Sequence, residues 1–471
     1  MKKFSWSVLT SLAIYFLSIP FWVSQSGCAN MAPPLGGPKD SLPPVLMAAK
    51  PGANATNVTQ KKINLVFDEY VNLDNITQNL IVSPTPKINP IVESKLKVVT
   101  ITIKDTLEPN TTYTFDFGNG IRDVNENNVL KNFRYVFATG DSIDNNTYNG
   151  NVIMAETGKT DSTLIAVLHR KNDDSTVSKQ KPRYITRLDK EGKFEFKNVA
   201  AGTYYLFAFK DESGTRTYTS NRQLFAFSNE PVIIGKTAPL TLYAYAEEEE
   251  PVKPIASTKG PAAKNAADKK LRYETNVNAG EQDLLKPLEI SFKTTPLRTY
   301  DSTKLRFFKD SMQPIKNYTL VSDSTNSKLS LKYNWEEDTK YVIIVDKDFA
   351  VDTLGRQLSK TDTLSFKSKK KSAYGIVRLR FTNLDLSKNP VLQFVQSDAV
   401  VYSHVFTDKT FTSQLFVPGD YDLRILYDDN KNGKWDAGQY YPNRKQPEIA
   451  IPIKRKITIK ANWENEIDLD L

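Results

Sequence analysis

The sequence predicts an all-β fold, a tandem array of four small β-sandwich modules, on three observations. Apolar and polar residues alternate along short runs from end to end. Long stretches of helical period are missing beyond the N-terminal apolar run. Two halves, on either side of a charged, Pro- and Ala-rich stretch, repeat each other. At 471 residues the chain is also long enough for several domains.

The N-terminus comes first. Lys2 and Lys3 precede the apolar run FSWSVLTSLAIYFLSIPFWV, and the polar "SQSGCAN" follows. A basic start, an apolar core and small residues describe an export signal over residues 1–27 rather than a spanning helix. Cys28 is the one cysteine of the chain, so it has no internal disulfide partner. Residues 28–41, rich in Pro and Gly, read as an extended tether. The formal charge of +9 falls to +7 once Lys2 and Lys3 leave with the signal. A basic balance raises nucleic acid as a partner, but aromatic residues do not interleave with the basic ones as a stacking platform needs. No nucleic-acid partner is expected. The run KSKKKS at 367–372 reads as solvated linker.

Strands follow from period-2 alternation: Ile63, Leu65 and Phe67; Val99, Ile101 and Ile103; Tyr113, Phe115 and Phe117; Leu288, Ile290 and Phe292; Tyr341, Ile343 and Val345. Each set puts apolar groups on one face of a half-buried strand. Residues 247–271 are too polar to order themselves, with a short helix over GPAAKNAADKK as the alternative. They predict two separable halves, cut there first by a protease. Across that linker, AAGTYYLFAFKDESG from Ala200 matches VPGDYDLRILYDDNKNG from Val417. Gly202 corresponds to Gly419, Tyr204 to Tyr421 and Asp211 to Asp428. Tyr113 likewise corresponds to Tyr341, and Asp123 to Asp352. The repeat predicts modules at 42–142, 146–246, 272–370 and 373–471.

Several of these motifs resemble known families. Ser26-Gly27-Cys28 resembles a bacterial lipobox, which implies diacylation of Cys28. Modules 42–142 and 272–370 resemble the SbsA-type bacterial Ig-like domain, through SPTP, LEPNTTYTFDF and the IRDVNENNVL turn. Modules 146–246 and 373–471 resemble the prealbumin-like, carboxypeptidase-regulatory-like family, through LDKEGKFEFKNVAAGTYYLFAFKD; the second copy lacks the turn glycine. The whole resembles Ig-like-domain lipoproteins of Bacteroidota. That implies an outer-membrane lipid anchor. The first acid after Cys28 is Asp40 rather than an immediate acidic cluster, which implies a periplasm-facing anchor over a surface-exposed one.

Catalytic chemistry is sparse. His169 and His404 are the two histidines, each on a strand, where a packed or edge imidazole is expected. There is no GxSxG elbow, HExxH helix or Cys–His pair. The chain reads as non-enzymatic. It is expected to be a scaffold or docking subunit for an envelope protein assembly, with a glycan-binding protein as alternative and a hydrolase as a lesser one. Glycan binding would use exposed Tyr440 and Tyr441; their burial in the last module's core would favour the scaffold.

The densest polar motif is YDDNKNGKWDAG at 427–438. Asp428, Asn430, Asn432 and Asp436, with the Lys434 carbonyl, are candidate calcium ligands, since calcium takes oxygen ligands around a sharp Gly turn. The twelfth position is Gln439 and strands flank the loop, so it is not an EF-hand. The alternative is a turn whose Asn and Asp residues bond their own backbone. Calcium is the one cofactor expected. Asp-Ser and Asp-Thr pairs recur, and the motif resembles an O-glycosylation acceptor of exported Bacteroidota proteins. It implies Ser41, Thr106, Ser142, Ser162, Ser175, Ser302, Ser311, Ser324, Thr353 and Thr363 as acceptors; ordinary turn chemistry is the alternative.

Overall fold

The computed structural model describes residues 39–248, 270–293, 295–310 and 312–471. Cys28, the signal and most of the tether and linker lie outside the described residues, as does Ser311. The described chain forms two compact units: Ile88–Asp141 with the residues before Ser83, and Ser83–Lys87 with Ser142–Leu471. In both, the regular secondary structure is almost all strand. Among the described residues no helix is long and apolar enough to span a membrane.

In the first unit, Leu46–Lys50, Lys62–Phe67, Val98–Thr102 and Ile91–Lys95 form an antiparallel sheet in that order. Thr112–Gly118 and Phe133–Ala138 pair in a second sheet. Ile63, Leu65, Phe67, Val99, Ile101, Phe115 and Phe117 meet in one core. Burial of each such side chain stabilises the fold by about 1.5–3 kcal/mol, and alternation ensures that they all arrive on one face.

The second unit begins with a sandwich that sequence pattern did not specify in full. Asn146–Met154 pairs antiparallel with Lys193–Val199 but parallel with Leu240–Ala244. The facing sheet runs Tyr184–Arg187, Leu164–His169, Thr203–Lys210, Phe225–Phe227. The last module repeats this plan. Gly375–Thr382 lies between antiparallel Thr410–Phe416 and parallel Glu464–Asp470. Its other sheet runs Ala399–Val405, Pro390–Gln396, Gly419–Tyr427, Ile449–Ile459. Where the earlier hairpin turns at Gly192, with φ 77°, the later one turns on Asp408, whose Oδ1 accepts the Thr410 N–H and Oγ1–H at 2.7 and 2.6 Å. Asp189 accepts the Glu191 and Lys193 N–H groups in the earlier hairpin as well, so a side-chain acceptor is common to both turns and the glycine is not.

The repeat correspondences hold in atomic detail. Tyr204 Oη donates to the Ala200 carbonyl and Tyr421 Oη to the Val417 carbonyl. Gly202 and Gly419 share φ of 151° and 153°, a conformation that costs other residues dearly. Tyr113 Oη accepts the Glu108 N–H, as Tyr341 Oη accepts that of Glu336. Asp123 and Asp352 are fully buried, each gathering the N–H groups of the turn after it.

Three expectations need correction. Glu247 and Glu248, assigned to the linker, fold onto the second module, both donating N–H to the Asn221 carbonyl. KSKKKS is not solvated linker: Lys367 and Ser368 close the strand Asp362–Ser368. Ser368 is buried there, and Lys367, Lys370 and Lys371 face Asp338 and Glu337. Finally, the second and last modules are not independent, because side chains separated by the linker pack together.

Candidate functional site

A single excursion of the last module, between the strands Gly419–Tyr427 and Ile449–Ile459, gathers most of the unusual chemistry. Its first part is a polar knot. Asp428 is buried and accepts the N–H groups of Asn432 and Gly433 at 3.2 and 2.6 Å. Asp436 Oδ2 takes the carboxamides of Asn430 and Asn432 at 2.5 and 2.6 Å. Asn430 Oδ1 and Asn432 Oδ1 accept the N–H groups of Asn432 and Lys434. The four side chains named from sequence therefore do converge, in the form of a self-bonded turn. Asp211, the counterpart of Asp428, likewise caps its own turn by accepting the Arg216 N–H.

A fifth member was missed. Glu448 is buried and accepts the N–H groups of Asp429 and Asp436, both at 3.0 Å. Burial raises its pKa above the usual carboxylate value; the two N–H bonds pull it down, and nearby Asp428 and Asp436 push it up again. No spacing rule reaches it, since an arm of non-ligand residues intervenes. Trp435 pins the knot to the sheet: its Nε1–H donates to the Glu448 carbonyl at 2.7 Å, and its ring packs on Val391, Leu426 and Ala450. Among the described residues no three His, Cys, Asp or Glu side chains form a ready metal cage; here both Asn carboxamides donate to Asp436.

The second part, 438–447, is an arm that leaves its own module. Tyr440 is 3% exposed, with its ring 5.9, 5.0 and 5.3 Å from those of Phe207, Phe225 and Phe227 in the second module. Its N–H donates to Glu247 Oε1 at 2.8 Å. Arg444 covers the Tyr440 ring at 5.3 Å and donates to Asp174 Oδ1 and to the side chain and carbonyl of Asn172 at 2.7–2.8 Å. Gln446 donates to the Phe227 carbonyl and Asn229 Oδ1. Gly438 passes so close that an added Cβ would lie 2.6 Å from Tyr245 Cζ. Nearby, Arg424 Nη1 donates to the Glu156 carbonyl at 2.6 Å and the Ala450 N–H to the Ala155 carbonyl at 2.8 Å. The exposed Lys159–Asp398 pair adds little by itself.

This placement differs from both sequence expectations. Tyr440 neither faces solvent nor enters its own core, but fills a socket in another module. Tyr441 stays exposed. A surface hollow of about 580 Å³ is lined by Lys210, Glu212, Arg222, Gln223 and neighbours without any aromatic ring, so it offers no stacking face for a sugar.

The histidines sit as packed or edge groups. His169 is buried edge-on to Phe207 at 5.7 Å, and burial pushes its pKa down to about 4. His404 is half-buried beside Phe406 and Phe411, its pKa also lowered by burial. Ser41, Thr106, Ser142, Ser162, Ser302, Ser324, Thr353 and Thr363 are exposed and Ser175 is half-buried. Several partner acids are also engaged in turns, as Asp161 and Asp301 are with the N–H groups of Thr163 and Thr303.

Residues 40–139 match the family model described as bacterial Ig-like domain. Residues 145–221 match a fibronectin type III-class model described as polysaccharide lyase family 4, domain II. No curated protein matches the chain. Among solved structures, the major pilin subunit BcpA of Bacillus cereus is 10% identical, covering 69% of this chain and 99% of that one, with a TM-score of 0.17. The Bacillus anthracis TIE protein is 12% identical over 93% of this chain and 75% of that one, with a TM-score of 0.17. The N-terminal part of the S-layer protein SbsC is 16% identical over 44% and 45%, with a TM-score of 0.17. The fold assignment rests on the family matches and the strand order, not on these superpositions. The chain is an all-β tandem of Ig-like and fibronectin type III-like modules.

Proposed function

We propose that this chain is a non-enzymatic, lipid-anchored envelope protein, held at the outer membrane through Cys28 and facing the periplasm. In this reading its β-modules serve as scaffold and docking subunit for an outer-membrane or periplasmic assembly. The observation that carries it is the arm 438–447. The loop that carries Tyr440 and Arg444 clamps one module onto another instead of framing a cleft. Two modules clamped together suit presentation of a joint surface. The exposed Ser and Thr acceptors suit O-glycosylation of those surfaces. Crosslinking in native membranes followed by pulldown is expected to recover defined envelope proteins. Cys28→Ala is expected to move the protein into the soluble periplasmic fraction. A Cys28→Ala protein that still partitions into detergent would sink the anchor.

We also read the knot as a weak structural calcium site. Glu448 accepts the Asp436 N–H, and the nearby Asp428 and Asp436 add to the effect of burial a repulsion that a cation would relieve. Asn430 and Asn432 would turn their amide oxygens inward, and the Lys434 carbonyl would join them. For a Kd on the order of 0.1–1 mM, typical of extracellular modules, 10 mM calcium should stabilise the native state by roughly 1.4–2.7 kcal/mol. Asp436→Ala is the cleaner probe, because Asp428→Ala also takes the buried acceptor from the Gly433 N–H. Melting of the full chain should rise with calcium, and Asp436→Ala should abolish the increment. Melting indifferent to millimolar calcium would leave the loop as a self-bonded turn.

A further inference from the structure

We propose that the strand Ala399–Val405 is a docking edge that takes an extended, uncharged peptide strand of a partner protein by β-pairing. The proposal rests on the docking reading above and names the place where docking occurs. Ala399–Val405 ends its sheet, paired on one side only, with Pro390–Gln396. Its sequence AVVYSHV holds no Lys, Arg, Asp, Glu or Pro, the residues by which proteins blunt such edges. Val400, Val401, Tyr402, Ser403 and Val405 are all exposed. A register shift at Val401 interrupts one end, leaving Tyr402–Val405 regularly paired.

Two observations say what fits there. The first is continuity with the clamp between modules. Val391 faces both Val405 and Leu426, and Gln393 faces both Ser403 and Arg424. Val405 and Ser403 therefore extend the sheet face that meets the second module through Arg424. A partner strand added at the edge would prolong a surface already held rigid.

The second is the equivalent strand of the second module. Tyr184–Arg187 pairs with Leu164–His169 as Ala399–Val405 pairs with Pro390–Gln396, yet Tyr184, Ile185 and Thr186 are buried. There the Arg183 carbonyl accepts the Thr85 N–H at 3.0 Å, and Lys181 Nζ reaches the Pro86 and Lys87 carbonyls. Ser83–Lys87 belongs to the same compact unit. A Ser-Pro-Thr-Pro segment thus lies at the edge strand in one copy of the module, and among the described residues no segment pairs with the outer side of that edge in the other copy.

Size argues against a second copy of this chain as the occupant. Seven residues give about 24 Å of edge in a layer roughly 10 Å thick, so self-pairing covers on the order of 250 Å² per partner. A standard stable interface covers about 800 Å² per partner. A peptide strand draws its affinity from main-chain bonds and suits an edge of this length.

The test uses the full mature chain and, as probe, a fluorescent seven-residue peptide of alternating Thr and Val. Saturable anisotropy is expected, with amide exchange slowed within 399–405. Val401→Lys with Val405→Lys should weaken binding at least about tenfold while melting stays unchanged, both side chains being solvent-facing. Protection at some other strand, or none, would overturn the proposal. So would a concentration-dependent dimer in sedimentation that the Lys pair abolishes, which would assign the edge to a second copy. If envelope partners crosslink equally to the Lys variant, the docking reading stands and this edge is not its site. If wild type crosslinks to no partner, the docking reading itself fails.

Discussion

Cleavage at a protease site engineered between residues 250 and 268 is expected to leave the two fragments bound to each other. The connection that survives is the arm: Tyr440 among Phe207, Phe225 and Phe227, and Arg444 on Asp174 and Asn172. Truncating a buried aromatic ring costs about 3–5 kcal/mol, so Tyr440→Ala should weaken fragment association by roughly a hundredfold or more. Arg444→Glu should compound the loss by placing an acid against Asp174. The socket belongs to one fragment and the plug to the other, so each can be checked for folding alone by circular dichroism. Size-exclusion chromatography reads the result: co-elution for wild type, separate peaks for the double variant. Separate peaks for the cleaved wild type would mean that the modules do not clamp. The linker remains the expected first site of proteolysis, but a cut there no longer implies separation.

The second large effect lies in the third module. Asp352 is fully buried and accepts from Thr295 Oγ1, from the Leu354 and Arg356 N–H groups and from Arg356 Nε. Burial alone would raise its pKa, but these donors outweigh it and hold the group at about 2. A folded pKa below the unfolded value means that the carboxylate stabilises the fold fully above about pH 4. That contribution then fades as pH falls from about 4 toward 2. Asp352→Ala should cost about 3–5 kcal/mol, since it breaks a buried ion pair and strands its donors. Amide exchange of the strand Lys340–Val345, followed with pH, would show it: wild type should lose protection through this window, and Asp352→Asn should start lower and stay flat. An Asp352→Asn chain with wild-type protection and pH profile would refute the role. Asp123 sits in the same turn of the first module, its pKa likewise lowered by four backbone N–H groups against the pull of burial, and should behave alike.

Much of the architecture was legible because it depends on neighbours in sequence. Alternation at Ile63, Leu65 and Phe67 or at Tyr341, Ile343 and Val345 decides which face is apolar, and any sandwich must bury that face. Gly202 and Gly419, or Asp123 and Asp352, were recognisable as pairs because each shapes a turn within a few residues of itself. The convergence of Asp428, Asn430, Asn432 and Asp436 was readable for the same reason: their spacing around Gly433 closes the loop.

What stayed hidden depends on residues brought together from far apart. Glu448 joins Asp428 only because the strand Ile449–Ile459 returns beside Gly419–Tyr427, and nothing in the intervening arm announces it. The parallel pairing of Asn146–Met154 with Leu240–Ala244 has no local signal, since alternation is the same for either strand direction. The sequence offered Tyr440 and Tyr441 as sugar-stacking groups, but Tyr440 packs within the protein. Its partner is Phe207, Phe225 and Phe227, more than two hundred residues upstream, and no pattern near Tyr440 distinguishes that socket from solvent or from a sugar. By itself the sequence determined an all-β chain, its strand faces, its repeated turns and the polar loop, because hydrophobic period and turn chemistry act within a few residues. Only the tertiary structure decided that the loop's second part clamps two modules, because that outcome depends on complementary surfaces assembled from distant strands.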